Sequence, residues 1–161
     1  MVLATGELFW TDHQLAVGLD FAPVVAELAR ALEISLEEML FAPSRTWARA
    51  RGLGPVQDKP ELGTMRVLLE KAARINAGAL PDRTPGTLGL NGFLVAGGVA
   101  NYCYDDLIQD LHYANGPRRR AAHKEVLTGV EAREFRERVL GVGSATSILA
   151  RLAERLGPLL P

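Results

Sequence analysis

The fold of this chain is decided by residues 84–104, TPGTLGLNGFLVAGGVANYCY, a run of 21 residues without a charged side chain. Five of these residues are glycine, and the acidic residues Asp105, Asp106 and Asp110 follow directly or soon after. An uncharged segment of this length has to be shielded from water, either by the rest of the fold or by a second copy of the chain. We therefore expect a buried central helix over residues 88–115.

Small residues mark one face of that predicted helix. Gly92, Ala96 and Ala100 repeat every four positions, and Gly97 lies beside them. Such a stripe lets another backbone approach closely. Because glycine inside a helix costs roughly 1 kcal/mol, its presence there needs a packing reason. The stripe predicts a helix-packing surface, either inside the fold or in a homodimer.

Helical signals continue on both sides of the central helix. Apolar residues at helix spacing predict an amphipathic helix over residues 64–77, with Gly78 as the residue that ends it. Ser35 to Glu38 and Thr128 to Glu131 have the capping-box pattern, and Pro117 is placed to begin a helix after Gly116. In all, the sequence predicts an all-α, compact bundle of six to eight helices around the central one.

The first 18 residues lack helical periodicity. Residues 7–11 and 14–17 lie on either side of Asp12 and His13, so a short N-terminal β-hairpin is expected there. The length of 161 residues fits a single helical domain over residues 1–161.

The cysteine content and the N-terminal residues predict a cytoplasmic protein. No motif in the sequence predicts a cofactor. The single cysteine, Cys103, excludes an internal disulfide bond, and the N-terminal residues do not have the pattern of a secretory signal. In the uncharged run, proline, asparagine and glycine dilute the apolar signal below that of a membrane-spanning helix, so no membrane association is expected.

Charge is distributed in alternating blocks, although the net charge is only −1. Residues 1–44 carry seven acids and one base, whereas residues 45–83 carry eight bases and four acids. Residues 84–116 contribute three acids, and residues 117–161 carry nine bases and five acids. Such blocks indicate segments that pair across the fold, or surfaces that attract a second subunit or a protein partner.

A basic cluster stands out at Arg118, Arg119, Arg120 and Lys124. If Pro117 begins a helix, three arginines lie at its positive end, where the helix dipole disfavours cations. A bound anion would relieve that repulsion, and exposed backbone N–H groups would help to hold it. Two sources of the anion stay open, namely the acidic residues of the chain itself and a polyanionic ligand such as RNA.

The same segment carries one family resemblance. Arg118 and His123 are spaced as Arg-x4-His, which is similar to the active-site motif of HEPN-type ribonucleases, helical domains that usually dimerise. The resemblance implies RNA cleavage without a metal, with two motifs meeting across a dimer. His123 would then be the acid or base, and Arg118 would stabilise the charge on the phosphorane.

Other patterns predict neither catalysis nor metal binding. His13, His112 and His123 include no pair at a spacing of three or four, so no helix presents two metal ligands together. Cys103 lies between two tyrosines in the apolar run, which predicts an inert buried thiol. By exclusion, the sequence favours a non-enzymatic interaction or regulatory protein that self-associates or binds a protein partner through complementary charge blocks. A polyanion- or RNA-binding domain, or a HEPN-like ribonuclease, is the alternative.

Overall fold

Helices form all of the regular secondary structure in residues 2–14, 16, 18–79, 84–142 and 146–159, the part that a computed structural model describes. The all-α prediction is confirmed, and seven continuous helices are present in those ranges. Their segments are α1 (Val2–His13), α2 (Ala22–Leu36), α3 (Ala42–Arg49), α4 (Leu62–Asn76), α5 (Pro85–Ala96), α6 (Ala100–Tyr102), α7 (Ile108–Ala122), α8 (Gly129–Leu140) and α9 (Ile148–Leu156).

Two short π-helical turns join some of these segments without a break. The turn Glu37–Phe41 links α2 to α3, and Cys103–Leu107 links α6 to α7. A 3-10 turn, Gly157–Leu159, follows α9. The capping box predicted at Ser35 to Glu38 is therefore wrong, because the helix continues through these residues. Leu40 and Phe41 in the turn are completely buried, and the wider turn keeps both side chains facing inward.

Contacts between Cα atoms group the chain into two compact units. Unit 1 comprises Met1–Ile34 and Tyr113–Arg151, and unit 2 comprises Ser35–His112 and Leu152–Pro161. The unit boundaries fall within α2, α7 and α9. That residues 1–161 form a single domain stays a prediction.

In unit 1, aromatic rings fill the space around the start of α2. Phe21 is buried and meets Trp10 edge to face, with ring centroids 5.8 Å apart. Phe135 of α8 is completely buried and stacks on Tyr113 of α7 at 6.2 Å. A Cβ at Gly129 would stand 3.3 Å from the Phe21 ring, so the small residue lets α8 begin against that ring.

The predicted N-terminal hairpin is wrong, because residues 2–13 form α1. Gly6 and Trp10, one helical turn apart, are both buried. A Cβ at Gly6 would lie only 3.2 Å from Cβ of Glu27, which shows how closely α1 packs on α2. Packing against a distant helix therefore overrides the weak helical periodicity of this segment.

In unit 2, α5 packs against both α3 and α4. Close approach depends on glycines spaced by three in α5. A Cβ at Gly86 would stand 2.7 Å from the carbonyl oxygen of Pro55, and one at Gly89 would stand 2.8 Å from Cβ of Ala48. At Gly92, a Cβ would stand 2.8 Å from the ring of Trp47. Packing therefore requires glycine at Gly86 and Gly89, whereas a larger residue at Gly92 would displace the end of the Trp47 side chain.

The predicted continuous helix over residues 88–115 is interrupted. α5 ends at Ala96, and Gly98 takes a left-handed conformation with φ of 69°. The N–H of Gly98 donates to the carbonyl of Val95 (3.1 Å), and that of Val99 donates to Leu94 (3.1 Å). This pair of bonds is a Schellman motif, which ends a helix. The chain becomes helical again at Ala100.

The interruption divides the predicted small-residue stripe. Gly92 packs on Trp47, whereas Ala96 is exposed at the end of α5, Gly97 caps that helix, and Ala100 opens α6. The stripe therefore does not run along one helix. Gly92 belongs instead with Gly86 and Gly89, whose role was not predicted.

The prediction that Pro117 begins a helix is wrong, because Pro117 lies inside α7. Proline in a helix interior removes one hydrogen bond and costs about 3 kcal/mol. The turns that follow it are held by ion pairs of Arg118 and Arg120 to glutamates of unit 1. Tertiary pairing thus offsets a strong local signal.

Several other local predictions are confirmed. Thr128 and Glu131 form the predicted capping box at the start of α8, and Gly78 ends α4 with φ of 69°. α9 buries Ile148, Leu152 and Leu156 completely. The sequence also predicts that this last helix starts near Ser144, a position outside the described residues.

Candidate functional site

An open groove of about 580 Å³ lies in unit 1 and combines apolar walls with exposed side chains. α1, the connection from α1 to α2, and the first turns of α8 form it. Its lining residues are Trp10, Gln14, Ala16, Gly18, Leu19, Phe21, Val126, Thr128, Gly129, Val130 and Arg133.

The two connections that form the groove are joined through Asp20. One carboxylate oxygen, Oδ1, accepts hydrogen bonds from the N–H of Ala22 (2.9 Å) and of Leu127 (3.0 Å). The N–H of Phe21 donates in turn to the carbonyl of Leu127 (2.9 Å). The sequence predicts Asp20 as a cap of the helix that follows it. In the fold it also holds the segment before α8 against the start of α2, which fixes both walls.

The first turn of α8 is fixed by the capping box. The Glu131 carboxylate accepts hydrogen bonds from the N–H of Thr128 (2.9 Å) and from Nη1 of Arg120 (2.5 Å). These bonds favour the ionised carboxylate, with the Thr128 N–H contributing most, and lower the pKa of Glu131 to about 2. The capping box therefore holds Thr128 and Gly129, which line the groove, in place at the start of α8.

Apolar side chains at the groove are unusually exposed. Val126 and Val130 expose 66% and 53% of their surface, and Leu19 exposes 38%. All three line the same groove as the buried rings of Trp10 and Phe21. Clustered apolar exposure of this kind is typical of a binding surface. No sequence signal identified it, since these residues follow no helical or strand period and lie at helix ends or in connections.

Groups that line the groove offer binding rather than covalent chemistry. Among its described lining residues, Arg133 is the one with a charge, and Gln14 and Thr128 supply polar atoms. No cysteine, histidine or carboxylate side chain belongs to that lining. The arrangement suits an apolar group that carries a negative charge.

The predicted anion cluster is placed differently from what the sequence suggested. Arg118, Arg119 and Arg120 lie in the last turns of α7, at the negative end of that helix, where cations are favoured. The repulsion that was expected to call for an anion is therefore absent. Arg120 binds Glu125 (3.0 Å) and Glu131 (2.5 Å), and these bonds raise the pKa of Arg120.

Arg118 is held beside a buried carboxylate. Glu33, 7% exposed, contacts Arg118 (3.4 Å) through one oxygen and Arg30 (3.3 Å) through the other. These three residues line a small cleft of about 280 Å³ together with Ala26, Ala29 and Ala122. Acids of the chain itself thus occupy part of the predicted anion site.

The remaining cations of the predicted anion site are exposed. Arg119 and Lys124 face solvent, as does His123, the second residue of the Arg-x4-His motif. Arg118, by contrast, is partly buried against Glu33. Anion binding by Arg118, Arg119, Arg120 and Lys124 stays a prediction, as does a catalytic role for Arg118 and His123.

Residues from opposite charge blocks pair inside each unit. In unit 1, Glu7 binds Arg136 through two bonds of 2.6 Å and 2.5 Å. In unit 2, the buried Arg45 pairs with Glu37 of the acidic block and also, at 3.1 Å, with Asp58 of its own block. Internal pairing was one of the two explanations predicted for the blocks, and these contacts support it.

Cys103 and two of the histidines, the other candidate groups, have different surroundings and partners. Burial raises the pKa of the Cys103 thiol to about 12, which keeps it protonated. Within the described ranges, no group of three or more metal-ligating side chains comes together. His13 lies against the carbonyl of Phe9, and His112 contacts Glu70, so the histidines are separate. In the described part of the chain, no helix combines the length and apolar character needed to cross a bilayer.

Comparison with known proteins identifies no relative of this chain. No family model, no curated protein and no solved structure matches this chain.

Proposed function

We propose that this chain is a non-enzymatic helical interaction protein that binds another protein through the groove of unit 1. The observation that carries the proposal is the exposure of Leu19, Val126 and Val130 along a preformed groove. Covering these side chains would release water from apolar surface and favour association.

The proposal does not place the binding surface on the charge blocks, because acids and bases of these blocks pair with each other inside a unit. Glu7, Glu33 and Glu37 of the acidic block already contact arginines of the basic blocks within a unit. Charges used in this way contribute less to attracting a partner than free ones do. The apolar groove is therefore the better candidate for the binding surface.

A displayed library of random peptides, selected on the full chain, tests this proposal. Peptides that use the groove are expected to bind at least about ten times more weakly to Val130→Asp, because the new carboxylate would be desolvated beside Trp10 and Phe21. Val95→Asp is the matched control, since Val95 is also exposed (52%) but lies in α5 of unit 2. Its binding is expected to equal that of the wild type.

Two outcomes would contradict the proposal. One is the recovery of no peptide whose binding depends on Val130. The other is a wild-type protein that dimerises in sedimentation experiments while Val130→Asp stays monomeric. That result would assign the groove to a second copy of the chain.

The predicted alternative, RNA binding or cleavage, has a separate test. A gel-shift and RNA-cleavage assay at low salt compares the wild type with Arg118→Ala/His123→Ala. Robust cleavage that is lost in the variant would favour the ribonuclease. If the wild type neither binds nor cleaves RNA, the alternative is excluded.

A further inference from the structure

We infer that the groove of unit 1 recognises a segment of the partner protein in which an apolar side chain lies next to a carboxylate. The inference rests on the proposed function, because it names the kind of segment that the same groove would bind. Charge, the neighbouring acids and the groove walls each support it.

Charge complementarity comes from Arg133. Its side chain is exposed in α8, one turn beyond Gly129 and Val130, and it is the one charged group in the described lining. None of the ion pairs recorded for the described residues engages it. A carboxylate that enters with an apolar side chain would meet an available cation.

Nearby acids do not cancel this preference. Asp20 and Glu131 each adjoin lining residues in the sequence, but both carboxylates already accept hydrogen bonds from other groups of the chain. Asp20 accepts from the backbone of Ala22 and Leu127, and Glu131 pairs with Arg120, which also pairs with Glu125. None of these carboxylates belongs to the described lining of the groove, where Arg133 is the one charged side chain.

The walls of the groove suit an apolar side chain. Trp10 and Phe21 are 7% and 1% exposed, so both rings are held firmly by packing. The Arg136 guanidinium also lies over the Trp10 ring, 5.7 Å from its centroid. A volume of about 580 Å³ falls in the range of about 300–1,000 Å³ in which proteins bind ligands.

Nucleic acid fits these groups less well than an acidic peptide does. Binding to a polyanion requires several basic side chains that follow the backbone. The described lining supplies one, Arg133, among mostly apolar neighbours. An acidic and apolar peptide matches both the single cation and the exposed valines.

Fluorescence anisotropy with synthetic peptides tests the inference. The probes are a labelled peptide enriched on the full chain and its analogue with each carboxylate changed to the amide. Arg133→Gln is expected to weaken binding of the acidic peptide about five- to tenfold. It should leave the amide analogue unchanged. Arg133→Glu should regain affinity for a peptide in which lysine replaces the acid.

The outcomes separate this inference from the proposed function. Peptides that depend on Val130 but ignore Arg133→Gln would overturn the acidic preference and leave the proposed function intact. Failure to find any Val130-dependent peptide would overturn both. Displacement of every peptide by laurate at lower concentration would assign the groove to a lipid and also overturn both. Matching thermal melts of wild type and Arg133→Gln ensure that the comparison reports binding.

Discussion

Lys124 adopts a backbone conformation that residues with a Cβ rarely take. Its φ is 58°, and it follows the last turn of α7. The N–H of Lys124 donates to Ala121 (3.3 Å), and that of Glu125 donates to Arg120 (3.1 Å), which is a Schellman motif. The corresponding positions after α3, α4 and α5 are glycines, namely Gly52, Gly78 and Gly98.

Replacing Lys124 with glycine should therefore stabilise the protein. Lys124→Ala is the matched control, because it removes the charge but keeps the Cβ. We expect Lys124→Gly to exceed Lys124→Ala by about 0.5–1 kcal/mol, since relief of left-handed strain outweighs the added freedom of the unfolded chain. Urea denaturation of both variants measures the difference. A glycine variant less stable than the alanine variant would contradict the strain argument.

Cys103 provides a second test at the residue scale. The thiol is completely buried and its pKa is raised to about 12 by desolvation. We expect dithiodipyridine to react with the native protein at least about a hundredfold more slowly than with the urea-unfolded protein, because little thiolate forms and access is blocked. Absorbance of the released thiopyridone follows the reaction. Rapid labelling of the native protein would show that the segment around Cys103 opens readily.

Two helical glycines, Gly116 and Gly89, illustrate how packing determines the effect of the same substitution in different elements. A Cβ at Gly116 in α7 would meet no atom within 4 Å beyond its chain neighbours, but it would crowd the ring of Pro117, so Gly116→Ala should change the free energy of unfolding by less than about 1 kcal/mol. A Cβ at Gly89 in α5 would stand 2.8 Å from Ala48 and 3.0 Å from the Gly54 carbonyl, so Gly89→Ala should destabilise by about 1–3 kcal/mol. Thermal and urea unfolding measure both. A Gly89→Ala variant that is no less stable than Gly116→Ala would contradict the packing described for α5.

The cap of α8 makes stability depend on pH. The pKa of Glu131 is about 2 in the folded protein and 4.5 ordinarily. The unfolded chain therefore binds the proton first, and the stabilisation present above about pH 4.5 is lost as the pH falls toward 2. Glu131→Gln should lower stability at neutral pH and reduce the decline below pH 4.5. Glu134→Gln, in the same helix, is the control, and an unchanged acid profile in Glu131→Gln would refute the assignment.

At the scale of the whole molecule, ion pairs join residues that are far apart in the sequence. Glu7 and Arg136 are separated by 129 positions, and their carboxylate and guanidinium make two parallel bonds. The Arg136 side chain is only 15% exposed, so water screens this pair less than a surface pair. The pair fastens α1 to α8 inside unit 1.

A double-mutant cycle with Glu7→Gln and Arg136→Met tests that connection. We expect a coupling free energy of about 1–2 kcal/mol, larger than the 0.2–1 kcal/mol typical of exposed pairs. Equilibrium unfolding in urea supplies the four free energies. Coupling near zero would mean that α1 is held by the packing of Gly6 and Trp10 alone.

The all-α class of the fold and several helix ends could be predicted from the sequence, because they depend on residues that are close in the chain. The capping box of Thr128 and Glu131 and the stop at Gly78 each involve bonds within six residues. The division of the uncharged run at Gly98 had the same local basis. It was missed because the glycines were interpreted as a packing stripe.

By itself, the sequence determined that this chain folds into helices whose apolar faces are buried, since periodicity, caps and glycine stops act over one or two turns. Only the tertiary structure decided that residues 2–13 are helical, that α7 continues through Pro117, and that Trp10 and Val130 line one groove. Each depends on partners supplied by distant residues, such as Glu27 beside Gly6 and Glu33 beside Arg118. Such contacts can outweigh a local preference of a few kcal/mol, and no pattern within a short window encodes them.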